Sequence, residues 1–574
     1  MNVSAHMRVF EGAQSFYKSL HTAKDVERKR APVVPAELAL VRPEEDTATA
    51  RNRPLHRLWS RHRVPLLATL PTLPLYAVWW LFLATGGGDL AAQEAWARFA
   101  GTHGGSAYGL FWYGGMHTAN YSLLSPYLMA GFGVRTVTVV SGLAASWLAA
   151  VLIVRAGVRR PAGPALLASL ALWCDVASGR TTFALGVAFG LAGCVLLTRE
   201  RRLVPAAVYA TLATMASPVA GLFLAVVGAG FLLVRDWGRA LVLLVPPFAV
   251  VATTTLLFPF HGEQPMHPDR IWQPVLFGLA VAVPAPRGWR VARWSGVVYA
   301  VGTVLVYLIP SPIGTNVERF AELFAPAALL AVLLTAPRLR TLRRSLLIAA
   351  LVFSVFWVGR KTVSDLYVST TVPAWAADTG GVIRALEGLG ADRSRVEVVP
   401  ARNHREATAL APHVNMARGW NRQLDVERGR LFYDGTFSAA TYRSWLDRWA
   451  VGFVVLPLGK PDGPAEQEAR LVRENRPAWL EPVWQDAHWR VYRVREAVPL
   501  VSAPATVLGT TSTEMEVRMP RAGSVTVRIA YSPWLHAESG CLSREGEFAR
   551  LTVTSPGAYR ISSQYAPSPA PAHC

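Results

Sequence analysis

Between residues 64 and 359 the chain is a succession of apolar runs, most of them long enough to approach a bilayer crossing. The runs lie near 64–83, 134–154, 162–176, 181–198, 203–217, 218–234, 240–259, 271–286, 294–310, 320–337 and 344–359. A backbone in lipid must satisfy its own hydrogen bonds, and in runs of this length a helix does so. The expectation is an α-helical polytopic membrane protein of about 11 transmembrane helices.

The segments between the runs sort by charge. One set carries Arg51, Arg53, Arg57, Arg61 and Arg63, then Arg155/Arg159/Arg160, Arg199/Arg201/Arg202, Arg235/Arg239, Arg287/Arg290/Arg293 and Arg338/Arg340/Arg343/Arg344. The alternate set carries Arg98, Arg180, Arg270 and Arg319. Positive charge collects on the cytoplasmic side. The alternation predicts a multi-pass protein of the plasma membrane, its N-terminus cytoplasmic and its C-terminal region extracytoplasmic. It also accounts for much of the formal net charge of +20. Nucleic-acid binding wants basic residues gathered on one soluble face, so the expected partner is the lipid bilayer and not nucleic acid.

Four regions follow. Residues 1–63 are polar and basic, far too long for the n-region of a cleavable leader, and are expected to form a disordered cytoplasmic terminus. Residues 64–359 form the multi-span domain, with a long first outer loop at 84–133. In residues 360–497, "RVEVVP", "VGFVVLPL" and "HWRVYRV" read as strands and "AATYRSWLDRWA" as a helix, which predicts an extracytoplasmic α/β domain. Residues 498–574 alternate as "EMEVRMP", "SVTVRIAYSPWL" and "FARLTVTSPGAYRISS", which predicts a β-rich, sandwich-like module with the disordered tail "APSPAPAHC". Cys174 and Cys194 lie in apolar runs and read as inert core residues. Cys541 and Cys574 lie in the outer region, where a disulfide between them is permitted. No Cys/His spacing matches a zinc site.

The first outer loop concentrates the chemistry. The run ending "LYAVWWLFLA" is followed at once by "TGGGDLAAQE", which puts Asp89 where the chain should leave the lipid. Locally, Asp89 suits the N-cap of a helix over "DLAAQEAWARFA", with Leu90, Trp96 and Phe99 on one apolar face. An acid at a membrane boundary is costly and marks a site by default. Farther on, "YGLFWYGGMHTANYSLLSPYLMAGFG" suits a re-entrant segment, with Trp112 and Tyr113 in an interface belt. The shorter outer loops "CDVASGRTT", "ASPVAG", "FPFHGEQPMHPDR" and "IPSPIGTNVERF" fall on the same side and together predict a roofed, outward-facing cavity.

A cytoplasmic N-terminus, an Asp just after the first span, a long helical first outer loop and a soluble outer C-terminal region together resemble the GT-C superfamily of glycosyltransferases. The stretches "GGGDLAAQ", "WYGGMHTANYSLLSP", "SGRTTFALGVAFGLAG" and "ASPVAGLFL" also resemble actinobacterial integral membrane proteins loosely labelled as transporters. The GT-C resemblance implies a polyprenyl-phosphate-linked sugar as donor and a cell-envelope polysaccharide as acceptor, with Asp89 as the catalytic base. GT-C enzymes commonly carry a second acid directly beside the first. Here Leu90 follows Asp89 and the next acid is Glu94, so a divalent metal is an open requirement.

Under that reading, Arg180, Arg319 and Arg270 are candidates for the donor phosphate, since a guanidinium fork matches phosphate oxygens. His117 and His261 are further candidates for the same role. Gln93, Glu94, Asn120, Tyr121 and Trp420 are candidates for sugar or acceptor contacts. Headgroup anchoring or pairing with Asp175, Glu263 or Glu318 is the plainer alternative for the arginines. Two other functions compete. A major-facilitator-like carrier would show twelve spans in two similar halves, and no internal repeat is seen. A non-catalytic cell-envelope assembly protein would share the whole architecture.

Overall fold

A computed structural model describes residues 62–199, 202–335 and 341–565. The expected disorder before residue 62, the tail after 565 and any Cys541–Cys574 pairing fall outside the described residues or involve one that does.

Each apolar run forms a helix. α1 is His62–Leu83. α2 (Asp89–Thr102) and α3 (Ser125–Phe132) belong to the first loop. Then come α4 (Val134–Arg155), α5 (Ala162–Ala177), α6 (Thr181–Leu197), α7 (Leu203–Ala216), α8 (Pro218–Leu233), α9 (Trp237–Leu257), α10 (Trp272–Ala282), α11 (Arg290–Leu308), α12 (Glu318–Thr335) and α13 (Thr341–Ser369). Five of them, α1, α4, α9, α11 and α13, are long and apolar enough to cross a membrane. α5, α6, α7 and α8 are apolar but shorter. Large apolar side chains stay exposed along the helices, such as Leu256 at 81% and Phe248 at 76%. A soluble surface rarely tolerates so much, whereas lipid requires it. Arg135, one residue into α4, adds a basic side chain to the sparsely charged ends.

α1 is not uniform. Pro71 lies in a 3-10 turn at Leu70–Thr72, where its missing N–H breaks the α ladder. The last turn, Trp79–Leu83, is π-helical. The chain then turns through Gly86, Gly87 and Gly88. Gly88 adopts φ 64°, ψ −140°, a region essentially closed to residues with a Cβ. A Cβ on Gly87 would lie 2.6 Å from the Ser369 carbonyl. The turn is thus pressed against the end of α13.

The C-terminal region, beyond the end of α13 at Ser369, contains three sheets among the described residues. β1 (Arg395–Val398) and β2 (Val451–Pro457) are parallel, and β4 (Trp489–Val494) and β3 (Leu480–Gln485) complete a sheet of order β1-β2-β4-β3. Both parallel strands are buried throughout, as strands covered on two faces must be. Around the sheet lie α14 (Gly380–Gly388), α15 (Arg405–Leu410), α16 (Arg422–Arg428), α17 (Ala439–Arg448) and α18 (Glu466–Arg473). Ser438 and Thr441 form a capping box at the start of α17. Farther on, β5 (Thr506–Thr510), β6 (Met515–Met519), β11 (Gly557–Ser563) and β8 (Leu535–Ala537) form one sheet. β7 (Gly523–Ala530), β10 (Phe548–Val553) and β9 (Cys541–Glu545) form another. Met515, Val517, Leu551, Val553 and Ile561 from the two sheets share one core.

The middle of the first loop is packed inside the protein. Phe111, Trp112 and Tyr113 are almost fully buried, in one core with Trp96, Phe99, Val396, Val398 and Val455. Leu110 donates its N–H to Ser512 and accepts a place in the β-module core beside Tyr108. Gly114 accepts a hydrogen bond from the Ala530 N–H. The stretch Leu110–Gly114 is therefore structural filling between the helices and the C-terminal region. The aromatic belt expected at Trp112 and Tyr113 is corrected to a buried seam.

Candidate functional site

The glycine turn is held from the C-terminal side. Arg405 donates to the Thr85 carbonyl, to Thr85 Oγ1 at 2.7 Å and to the Ser369 carbonyl at 2.7 Å. Gly88 N–H donates to the Asn403 carbonyl at 2.8 Å, and Trp420 Nε1 donates to the Gly88 carbonyl at 3.0 Å. Gly88 is the N-cap of α2, and Asp89 is the first helical residue. The Asp89 carboxylate caps nothing. It lies 3.7 Å from the Arg319 guanidinium and is 37% exposed. The expected N-cap role is corrected: a glycine takes it, and the acid lies beside Arg319 on a cavity wall.

What it faces is a cavity of about 810 Å³ with two unlike ends. One wall is apolar, built by α8 and α9 through Leu222, Ala225, Leu244, Val245 and Phe248. The other end is polar and carries Asp89, Gln93, Asn120, Tyr121 and Arg319. Ser217, Phe260 and Pro312 also line it, so three of the four short loops roof it as expected. Gln93 Nε2 donates to the Tyr121 hydroxyl at 3.4 Å, and Gln93 Oε1 is buried without a partner. At the rim, Gln264 Oε1 accepts from Asn316 and from Gln423, each at 3.0 Å, which ties the helical half to the C-terminal region.

Not every candidate reaches this cavity. Arg180 is buried and belongs to an ionic cluster: Asp175 at 3.4 Å, Asp365 at 3.6 Å and a direct bond to Glu322. Lys361 bonds Glu322 and, at 2.7 Å, Glu318, which also meets Arg270 at 3.2 Å. Arg180 and Arg270 are thus committed to carboxylates, the plainer alternative. Glu94 is packed against Gly86 near Arg405. Burial pushes its carboxyl above the usual range, against the pull of Arg135 and Arg405.

Trp420 does line the cavity, yet its indole is stacked on His404 with centroids 3.5 Å apart, and Arg422 sits over the ring at 5.0 Å. It offers the cavity an edge. Arg422 is itself bound to Asp462 at 2.7 Å and the Tyr433 hydroxyl at 2.9 Å.

His117 and His261 line a separate cavity of about 440 Å³. His117 Nδ1 lies 2.8 Å from the Ala107 carbonyl and so must donate to it. Nε2 then accepts from the Ser532 hydroxyl at 3.0 Å. Burial lowers the His117 pKa to about 4, so the ring is neutral near pH 7 and fully engaged.

The sequence missed Glu322, Lys361 and Asp365 as partners, and Gln264 and Asn316 as cavity residues. Glu322 alone gave a signal, being an acid inside an apolar run. Among the described residues, no group of three or more His, Cys, Asp or Glu side chains is arranged to hold a metal ion.

Residues 502–574 match a family described as a domain of unknown function (DUF8823). No curated protein matches the chain. Among solved structures, the chain is similar to the cryo-EM structure of arabinofuranosyltransferase AftD from Mycobacteria. The identity is 15%, the TM-score 0.42, and the match covers 77% of this chain and 40% of that one. A mutant form of the same enzyme matches at 12% identity and a TM-score of 0.39, over 77% of this chain and 42% of that one. The chain thus spans well under half the length of that enzyme.

Proposed function

We propose that the chain is a membrane glycosyltransferase of the GT-C type. It moves a sugar from a polyprenyl-phosphate donor to an extracytoplasmic cell-envelope acceptor. The observation that carries this reading is the position of Asp89: a partly exposed carboxylate beside Arg319 at the polar end of a cavity whose other wall is apolar helix. A lipid-linked donor has that same division, with a phosphate and sugar on a hydrocarbon chain.

In the proposed step an acceptor hydroxyl attacks the anomeric carbon and its proton passes to the Asp89 carboxylate. The bond from the anomeric carbon to phosphate oxygen breaks, and the electron pair leaves with the phosphate. Arg319, beside Asp89, meets the growing negative charge. Attack from the face opposite the phosphate inverts the anomeric centre. Gln93, Asn120 and Tyr121 present amides and a phenol to the sugar hydroxyls. The finer topology belongs to the same proposal: about eleven crossings, N-terminus cytoplasmic, C-terminal region outside, supported by the alternating arginines. No observation favours a carrier or a non-catalytic protein over this reading.

The test is transfer by the purified chain in lipid nanodiscs, supplied with a panel of radiolabelled polyprenyl-phosphate pentoses and hexoses and a cell-envelope polysaccharide. Label should move to the polysaccharide from at least one donor. If every donor stays intact with folded protein present, the enzyme reading fails.

A further inference from the structure

The second cavity, of about 440 Å³, has no part in the chemistry described above. It is within the range of small-molecule sites. It is walled by four stretches far apart in sequence: the first loop, the segment after α9, helices α16 and α17, and the β module. Unlike the first cavity, it has no apolar helical wall. Its lining mixes donors and acceptors with aromatic rings.

Three features point to what it takes. Glu427 lines it, and one buried carboxylate oxygen of Glu427 has no hydrogen-bond partner. A buried acceptor left unpaired is costly, so a donor is wanted nearby. The charges are otherwise largely balanced. Arg448 is held by Glu547 through bonds of 2.7 and 2.5 Å, and Arg428 is spent on the carbonyls of Tyr113 and Gly115. A strong anion site would keep such guanidiniums open. Finally, Asn120 and Phe260 line both cavities, so the two adjoin at those residues.

From this geometry we infer that the second cavity is a binding subsite for a neutral saccharide, occupied by the part of the acceptor chain that extends beyond Asn120. Saccharide hydroxyls supply the donor that Glu427 lacks and accept from the Arg544 guanidinium at the rim, while Tyr531 offers a ring to a sugar face. The division of labour follows: the apolar wall of the first cavity takes the hydrocarbon of the donor, and the polar second cavity takes the glycan. This inference rests on the transfer reading for its direction, but saccharide binding itself does not need catalysis.

The experiment uses the full chain in nanodiscs and a set of neutral oligosaccharides of increasing length, with binding followed by saturation-transfer NMR and titration calorimetry. Longer oligosaccharides should bind at least tenfold tighter than monosaccharides. Glu427→Gln and Tyr531→Ala should each weaken that binding by about tenfold or more, and Asp89→Asn should leave it unchanged. Arg544→Gln, at the exposed rim, serves as the second variant if either of the others lowers the melting temperature. In an active preparation, Glu427→Gln should raise KM for a long acceptor with little change in kcat. Three results would overturn the inference: no saccharide binding by the wild-type chain, equal binding by all variants, or displacement of the saccharide by inorganic phosphate at low concentration. Loss of transfer chemistry with binding intact would count against the enzyme reading alone.

Discussion

The Asp89 carboxylate and the Arg319 guanidinium stand 3.7 Å apart on the wall of one cavity, although 230 positions separate them in the chain. The pair is partly solvated and loose, so it contributes little to stability. Under the proposed function its value lies in its placement: an acceptor for a proton beside a donor for a phosphate. Arg319→Gln should therefore lower transfer by about 10²-fold, the usual worth of one charge-stabilising donor. Arg319→Lys should restore part of that loss, and the melting temperature should hold in both. Equal rates in wild type and Arg319→Gln would remove Arg319 from the mechanism.

Arg180 should behave in the opposite way. It faces Asp175, Glu322 and Asp365 from a buried position. Removing one member of a buried ionic cluster strands the others and costs about 3–5 kcal/mol. Arg180→Gln should reduce thermal stability sharply and lower the yield of folded protein, whatever it does to activity. A melt indistinguishable from wild type would mean that the cluster does not hold the helices.

His117 sets a pH dependence. Its pKa falls from an ordinary 6.5 to about 4 because the ring is buried. The unfolded chain therefore binds a proton that the folded chain refuses. Stability from this group is complete above pH 6.5 and is lost as pH falls toward 4, reaching about 3 kcal/mol at full loss. The melting temperature of the wild type should fall over that window more steeply than that of His117→Asn. Parallel pH profiles would contradict the assignment.

The orientation is open to direct measurement. A periplasm-active reporter fused after Tyr565 should be active, and the same reporter inserted after Arg199 should be silent. Activity at both positions would undo the charge argument.

Local patterns in the sequence carried the helices of the apolar runs, α2, α17 and most of the strands, but not the short helices α3, α14, α15, α16 and α18. Residues 395–400, 451–458 and 488–494 were legible as strands because each is a short apolar or alternating run. Leu480–Gln485 was not, because it contains Glu481 and Pro482, which only an edge strand such as β3 tolerates. Asp89 was legible as a candidate, from its place after the first run. Its partner was visible only as an isolated arginine. Arg180 looked equally isolated, since nothing local announces Glu322 or Asp365 as its partners. Trp112 and Tyr113 resemble interface aromatics in composition, and only the fold brings β1 and β2 over them. Partnership across long stretches of chain is what periodicity and charge counts do not encode.

The central claim rests on one proton. Gly88, not Asp89, caps α2, so Asp89→Asn keeps the helix and the shape of the side chain and removes only its charge and basicity. The decisive measurement is the rate of sugar transfer from a polyprenyl-phosphate donor by Asp89→Asn and wild type, reconstituted side by side and matched by their melts. The account predicts a fall of about 10²–10⁴-fold with an unchanged melting temperature. Transfer at the wild-type rate by the Asn variant would contradict it.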